Sequence, residues 1–353
     1  MIILNELIKN ILDEAVYAPS GDNSQPWYFE YKKGELLVKN LPEKDLPFYN
    51  FNQCGSHVAH GALLENINIL AHKNGLTCKI DLFPGNDHVN TIAKITFESH
   101  ALQSIEDLSE YIKKRVTNRK KYEKRPLPSD IKEYLTTDPE VVSQIQFIED
   151  ERKIDVISDA SVVNEMTVLK TRQIHRFFFD HVVWTYGEEQ VKREGLFVKT
   201  LEMPKAQELA FWLASHWPIM SFLNHLGVTK KIAKDNAGIF RSSAAYIGFF
   251  SDGDDPSDYI KVGRSLQRVW LKVTKAGYQA HPVTGVLFLN QSVKNGKAGI
   301  LSKSQADSIT RSYEEIRSQF GEAKKNLLFL LRVGKSDPPS AGSSRKPPDL
   351  RML

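Results

Sequence analysis

Apolar residues recur at helical spacing near the start of the chain. Ile3, Leu4, Leu7, Ile8, Ile11, Leu12, Ala15 and Val16 form one stripe, with Asn5, Glu6, Lys9, Asn10 and Asp13 opposite. That pattern predicts an amphipathic helix. Pro19 and the turn-forming run Ser20-Gly21-Asp22-Asn23 end it. Short strands are expected over 27–31 and 35–39, joined at Lys33-Gly34. A second strong helix spans 56–74 with Gly75 as its C-cap, followed by strands over 77–83 and 91–98. Pro128–Leu135 reads as a helix start with Ser129 as its cap, and 144–148 as a strand. From about 155 to 230 the pattern is largely helical and rich in aromatic residues. A further helix covers 260–276, closed by Gly277, and strands are expected over 286–289 and 327–333. The proline- and serine-rich segment 337–348 reads as a loop-like arm.

Two of these elements echo each other. The stretch Gly61–Gly75 and the stretch Gly263–Gly277 have the same length, and each leaves its helix through a glycine into a strand. Such an echo raises the question of two halves related by a pseudo-twofold.

Composition narrows the classes without choosing one. The 353 residues are 41% hydrophobic and 25% charged, with a net charge of +4. This is an ordinary globular balance of roughly two domains' length, and it makes no case for nucleic acid or an anionic membrane. No apolar run approaches the roughly 20 residues that span a bilayer, and the first residues lack the basic lead of a signal peptide. With only Cys54 and Cys78, a disulfide framework is excluded and a reducing, cytoplasmic setting is expected. His57 and His60 stand one helical turn apart without a third ligand nearby, so no metal site is expected, and Cys54 reads as a small buried residue.

Four segments carry candidate chemistry, and each has a plainer alternative. The run Ala18-Pro-Ser-Gly-Asp-Asn-Ser-Gln-Pro-Trp27 either forms an anion-binding turn with backbone N–H groups and Asn23, or simply stops a helix before an edge strand. In Arg115-Val-Thr-Asn-Arg119, an extended backbone would put Arg115, Thr117 and Arg119 on one face, suited to a phosphate or an acceptor-rich ring edge. The alternative is a solvated basic run. Gly277-Tyr-Gln-Ala-His-Pro-Val-Thr-Gly285 either lets backbone approach a flat ligand at its Pro282–Gly285 turn or is an ordinary loop between a helix and a strand. Ser343-Ser344-Arg345-Lys346 is a basic spot in an arm of the kind that is often mobile.

Taken together, these motifs resemble the flavin-dependent nitroreductase family. The resemblance rests on the Ala18–Trp27 run, on Arg115, Thr117, Arg119 and Tyr122 followed by Pro126-Leu-Pro128, on the Pro282–Gly285 turn, and on Arg345 beyond a strand ending in Val333-Gly334. It does not extend over about 150–235. It implies an α+β fold with central mixed or antiparallel sheets flanked by helices, and an FMN site. By the same resemblance, Arg115 and Arg345 would hold the phosphate, and Thr117 and Arg119 would meet the polar edge of the ring. Pro19, Ser20, Gly21 and Asn23 would reach the flavin from the opposite half, and Pro282, Thr284 and Gly285 would lie beside its reactive nitrogen. Thr284 stands where many members carry an acid.

The order of the motifs departs from the family habit, because the Pro19–Asn23 turn precedes the basic run by about a hundred residues. This is similar to a fused branch in which one chain imitates the usual dimer. Residues 1–110 would form one nitroreductase-like half, and 111–353 the other, with a helical insert over about 155–230. One FMN per chain and a monomer are then expected. The implied activity is two-electron transfer from NAD(P)H through FMN to a small-molecule acceptor such as a nitroaromatic or quinone, with no catalytic side chain required. An FMN-storing protein with an occluded flavin is the alternative. The aromatic stretch 177–222 is either a lid over the flavin or a core of its own.

Overall fold

The computed structural model describes residues 2–45, 48–99, 106–321 and 325–353, leaving the side chains of residues 2–4 and 86 undescribed. It is an α+β protein built on two sheets, with two long helices crossing between them. The first helix, Ile2–Ala15, buries Ile8, Ile11, Leu12 and Ala15, the face its periodicity marks out. Strands β1 (Trp27–Lys32), β2 (Glu35–Asn40), β3 (Leu76–Leu82) and β4 (Thr91–Ser99) form an antiparallel sheet in the order β1-β2-β4-β3. Between β2 and β3 the chain makes the long helix Cys54–Lys73.

The second sheet repeats this connectivity. Its strands are β5 (Gln144–Ile148), β8 (Ala245–Ser251), β9 (Gln279–Pro282) and β10 (Asn326–Gly334), ordered β5-β8-β10-β9 and again all antiparallel; β6 (Val182–Val183) and β7 (Leu196–Phe197) form a separate parallel pair. The helix Pro256–Lys275 lies between β8 and β9, as Cys54–Lys73 lies between β2 and β3. Asp255 caps it, accepting from the backbone N–H groups of Ser257 and Asp258.

The two long helices pack directly together. At their crossing the backbones meet through Gly61 and Gly263. A Cβ on Gly61 would lie 2.2 Å from the Ile260 carbonyl oxygen, and one on Gly263 would lie 2.1 Å from that of Val58. Each glycine therefore meets the carbonyl three residues before the other. Next to this crossing, Gln267 donates to Asn66 Oδ1 at 2.7 Å, and Arg268 donates to Glu65 at 2.5 Å. Arg268 also pairs with Asp138 at 2.7 Å, and Lys272 with Asp138 at 2.9 Å, all of them buried.

The stretch between β5 and β8 is largely helical, from Glu151–Ser161 to Val228–Phe240. It has a small core of its own around Phe179, Val183, Phe197 and Met220, with Trp184 and Phe211 packed against it. Leu209, Trp212, Ile219 and Phe222 of the same stretch face outward. The aromatic segment is thus divided, its inner residues building a satellite core.

The structure departs from the sequence reading in several places. Residues 286–289 lie in a helix, Gly285–Lys294, and the strand precedes them at Gln279–Pro282. A short apolar run fits either element, and here Val286, Leu287 and Leu289 are all buried within the helix, so the run carries no alternation that would mark a strand. Pro128, with no side-chain bond, occupies the cap position expected for Ser129, which begins the helix Ser129–Thr136. The arm 337–348 is tied down, and beyond it β11 (Leu350–Met352) adds in parallel to β1 at the edge of the first sheet. Among the described residues no helix is long and apolar enough to cross a membrane.

Candidate functional site

The Pro19–Asn23 turn is held by its own hydrogen bonds. Asn23 N–H donates to Ser20 O at 3.2 Å, Ser24 N–H to Gly21 O at 2.8 Å, and Gln25 N–H to the Ser20 hydroxyl at 3.0 Å. Asp22, Asn23 and Gln25 all take left-handed backbone conformations, φ 43°, 59° and 49°, which only a tightly constrained turn sustains. The N–H groups of Asn23, Ser24 and Gln25 are therefore spent inside the turn instead of forming an open anion nest. What the turn presents is side-chain chemistry. Asn23 donates to Ser344 O at 3.1 Å, while its buried Oδ1 has no partner.

The basic run lies beside the second sheet. Thr117 makes a single parallel bridge to Ala280 in β9, and Asn118 N–H donates to Ala280 O at 3.0 Å. Arg115 is 4% exposed, donates to Tyr17 O at 2.9 Å and packs over the Trp270 ring with 4.5 Å to its centroid. Its Nε has no partner, and neither does the buried Nε of Arg345. Arg345 otherwise donates to the carbonyls of Ser343 and Ser344. Burial and then the neighbouring Arg345 lower Arg115 to about 9, which still leaves it charged at neutral pH. Burial likewise lowers Arg345 to about 10. Two guanidiniums within electrostatic reach of each other, each with an unpaired buried N–H, are oriented for an anion. The chain thus brings together Arg115, Arg345 and the turn around Asn23 from three distant parts of the sequence.

Arg119 reaches a neighbouring part of the cleft. Its Nη1 donates to Thr200 O at 3.2 Å and to the Thr200 hydroxyl at 3.3 Å. Asp22 is exposed by surface area, yet burial raises its carboxyl, opposed by the nearby Arg119 and His181. Gly285 starts its helix against the side chain of Asn164, where a Cβ would lie 2.3 Å from Asn164 Oδ1. The close approach expected of this glycine is therefore to Asn164, on the face it occupies. Tyr49 donates to the same Asn164 Oδ1 at 2.8 Å. Pro282 and Thr284 stay partly accessible on either side of buried Val283.

Insert and C-terminal arm close around the site. Gln25 donates to Arg193 O at 2.7 Å and accepts from Lys346 N–H at 2.9 Å. Ser344 N–H donates to the buried Glu189 carboxylate, and Lys346 pairs with Glu194 at 2.5 Å. Several residues in this region are not among the candidates expected from the sequence: Asp22 and His281, which lie within the candidate segments, and Glu165, Glu189 and Arg332, which lie outside them. Arg332 alone left a signal, a charge in the otherwise apolar run Leu327–Val333. Glu165 sits in the insert, with a buried Oε2 that has no partner, and burial raises its carboxyl to about 7.

No protein-family model matches this chain. An uncharacterized protein of Mycobacterium tuberculosis is 20% identical over 344 residues, which cover 95% of this chain and 47% of that protein. The chain thus spans about half the length of the curated relative it matches. Among solved structures, a nitroreductase-like family protein of Bacillus cereus is similar at 14% identity and a TM-score of 0.32, covering 70% of this chain and 94% of that one. A protein of Anabaena variabilis described as a candidate nitroreductase is similar at 10% identity and a TM-score of 0.39, covering 93% and 73%.

Proposed function

We propose that the chain is an oxidoreductase of the nitroreductase type that binds one FMN in the cleft between its two sheets. The observation that carries this reading is the pair Arg115 and Arg345, within electrostatic reach of each other, each with a buried, unpartnered Nε–H, and with no acid beside Arg115 among the described residues. A flavin phosphate supplies the missing acceptors, and each charge-assisted bond contributes about 1.5–3 kcal/mol. Asn23 stands next to the arm that carries Arg345, so Pro19–Asn23 and Ser343–Arg345 form one wall of the site. Thr117 and Arg119 line the other, beside the strand that leads into Pro282, Thr284 and Gly285.

When bound, flavin supplies the hydride chemistry between NAD(P)H and an electron acceptor. The protein's part is to bind, orient and tune it. Arg119, desolvated in the cleft, favours negative charge on whatever faces it. The matched strand orders and the reciprocal Gly61–Gly263 contact support a dimer written into one chain. That arrangement suits a monomer in which each half completes one pocket. Acceptors of small, flat, electron-poor type fit such a site.

The closure of the cleft by Thr200, Glu189 and the arm favours a second reading, FMN held without turnover. One experiment separates the two. Purified chain is loaded with FMN, desalted and mixed anaerobically with NADPH. Retained flavin that bleaches with NADPH supports the reductase. Retained flavin that only dithionite bleaches supports storage, and loss of all flavin on desalting overturns both.

A further inference from the structure

Arg332 and His281 are direct cross-strand partners of β10 and β9, so their side chains share one face of the sheet. A cation opposite a histidine is unfavourable unless the histidine is neutral and accepts from it. Here it accepts. Arg332 Nε donates to His281 Nδ1 at 3.1 Å, while its Nη1 donates to Ile239 O at 3.0 Å and its Nη2 to Lys120 O at 2.8 Å. The guanidinium is wholly buried and lies over the Tyr122 ring with 4.1 Å to its centroid. Fixed at every nitrogen, it cannot turn away.

A guanidinium only donates, so His281 Nδ1 carries a lone pair and no proton. The single proton of the neutral ring is then on Nε2. A second proton is opposed by burial, then by Arg332 and by Arg119, which together hold His281 well below the ordinary histidine value. Nε2 has no hydrogen-bond partner among the described residues and is not sealed from solvent. His281 immediately precedes Pro282, and its neighbour Ala280 bridges Thr117. Arg119 lies within electrostatic reach of the ring, so the free N–H stands on the Arg119 side of the sheet, just before the Pro282–Gly285 turn.

We infer that His281 is a permanently neutral hydrogen-bond donor to an acceptor atom on the ring edge of the bound flavin, its Nε2–H fixed by Arg332. The inference rests on the flavin reading above and names a ligand-binding residue outside the resemblance motifs. A lysine or an ordinary histidine there would place a charge on the ring edge. A locked neutral imidazole gives the flavin a donor that does not change with pH.

Two arms test it on the full chain. Nitrogen–proton correlation spectra of the 15N-labelled wild-type protein should show His281 as the Nε2–H tautomer, unchanged from about pH 5 to about pH 9. An Nδ1–H tautomer or a titrating ring overturns the lock. In the second arm, FMN affinity and midpoint potential are measured for wild type, His281→Leu and His281→Gln. Leucine should weaken FMN binding about tenfold, the worth of one hydrogen bond, and shift the potential. Glutamine, whose amide N–H2 can stand near Nε2, should restore most of both. Flavin uptake by wild type with the leucine variant unchanged in affinity and potential overturns this inference alone. A wild-type chain that takes up no flavin overturns the reading beneath it as well, whichever tautomer the spectra show.

Discussion

Gly61 and Gly263 face each other where the helices Cys54–Lys73 and Pro256–Lys275 cross, and each backbone fills the space a side chain of the other would need. The contact is reciprocal, Gly61 to Ile260 O and Gly263 to Val58 O. The polar pairs beside it are reciprocal too. Glu65 meets Arg268, and Gln267 meets Asn66, so corresponding positions exchange roles across the crossing. A local twofold relation between the helices accounts for both.

Alanine at either glycine should therefore be costly, because the atoms it would strike are backbone and cannot swing aside. Gly61→Ala and Gly263→Ala should each destabilise the chain by about 3 kcal/mol, the upper range of overpacking. Because the two share one contact, the double variant should lose clearly less than the sum of the single losses. Urea titrations of the three variants against wild type measure this, and full additivity would contradict a shared crossing.

Much of this arrangement was legible beforehand, for an identifiable reason. The first helix and the two crossing helices have long periodic patterns closed by turn residues or Gly75 and Gly277, and pattern length fixes their type. The echo Gly61/Gly263 showed in sequence because close helix contact admits no other residue there. Residues 286–289 of the helix Gly285–Lys294 look like a strand in sequence because four apolar residues in a row have no period to distinguish the two. At the site, Arg115, Arg119 and Asn23 came through motifs. The pairing of His281 with Arg332 did not, because it is a cross-strand register, and register between β9 and β10 cannot be read from either strand alone. The insert residues Glu165 and Glu189 were hidden for the same kind of reason, since only folding brings them to the cleft.

The charged cluster at the crossing makes a separate prediction. Arg268 is 1% exposed and held by Glu65 and Asp138, with Lys272 completing the set around Asp138. Removing Arg268 leaves Glu65 with Arg264 alone and Asp138 with Lys272 alone, so two buried carboxylates each lose a cation. Arg268→Met should cost about 3–5 kcal/mol in chemical denaturation. Adding Glu65→Gln to that variant should recover part of the loss, because it removes a wholly buried carboxylate left with only the half-buried Arg264; a further loss of the same size would show that Glu65 is paired chiefly with Arg264.

Arg115 should dominate anion binding. Arg115→Ala removes one of two guanidiniums with unpartnered Nε groups, and FMN affinity should fall by about ten- to a hundredfold. Riboflavin, which lacks the phosphate, should bind wild type and variant with nearly equal strength. Fluorescence titration of both ligands distinguishes a phosphate contact from general damage to the pocket. An equal loss for both ligands would remove Arg115 from the phosphate.

Glu165 gives a pH signature with a definite sign. Burial raises its carboxyl to about 7 in the folded chain, well above the ordinary glutamate value it takes when unfolded. Between those two values the folded chain keeps the proton and the unfolded chain releases it. Stability therefore falls as pH rises through that window and levels off above about 7. Below the window both states are protonated and the group contributes no difference. Glu165→Gln cannot ionise, so it should melt close to wild type near pH 4 and be more stable by about 1–2 kcal/mol near pH 8. Thermal melts at the two pH values check this. A constant gap would mean that Glu165 ionises at the same pH in the folded and the unfolded chain, so that burial does not hold its carboxyl up.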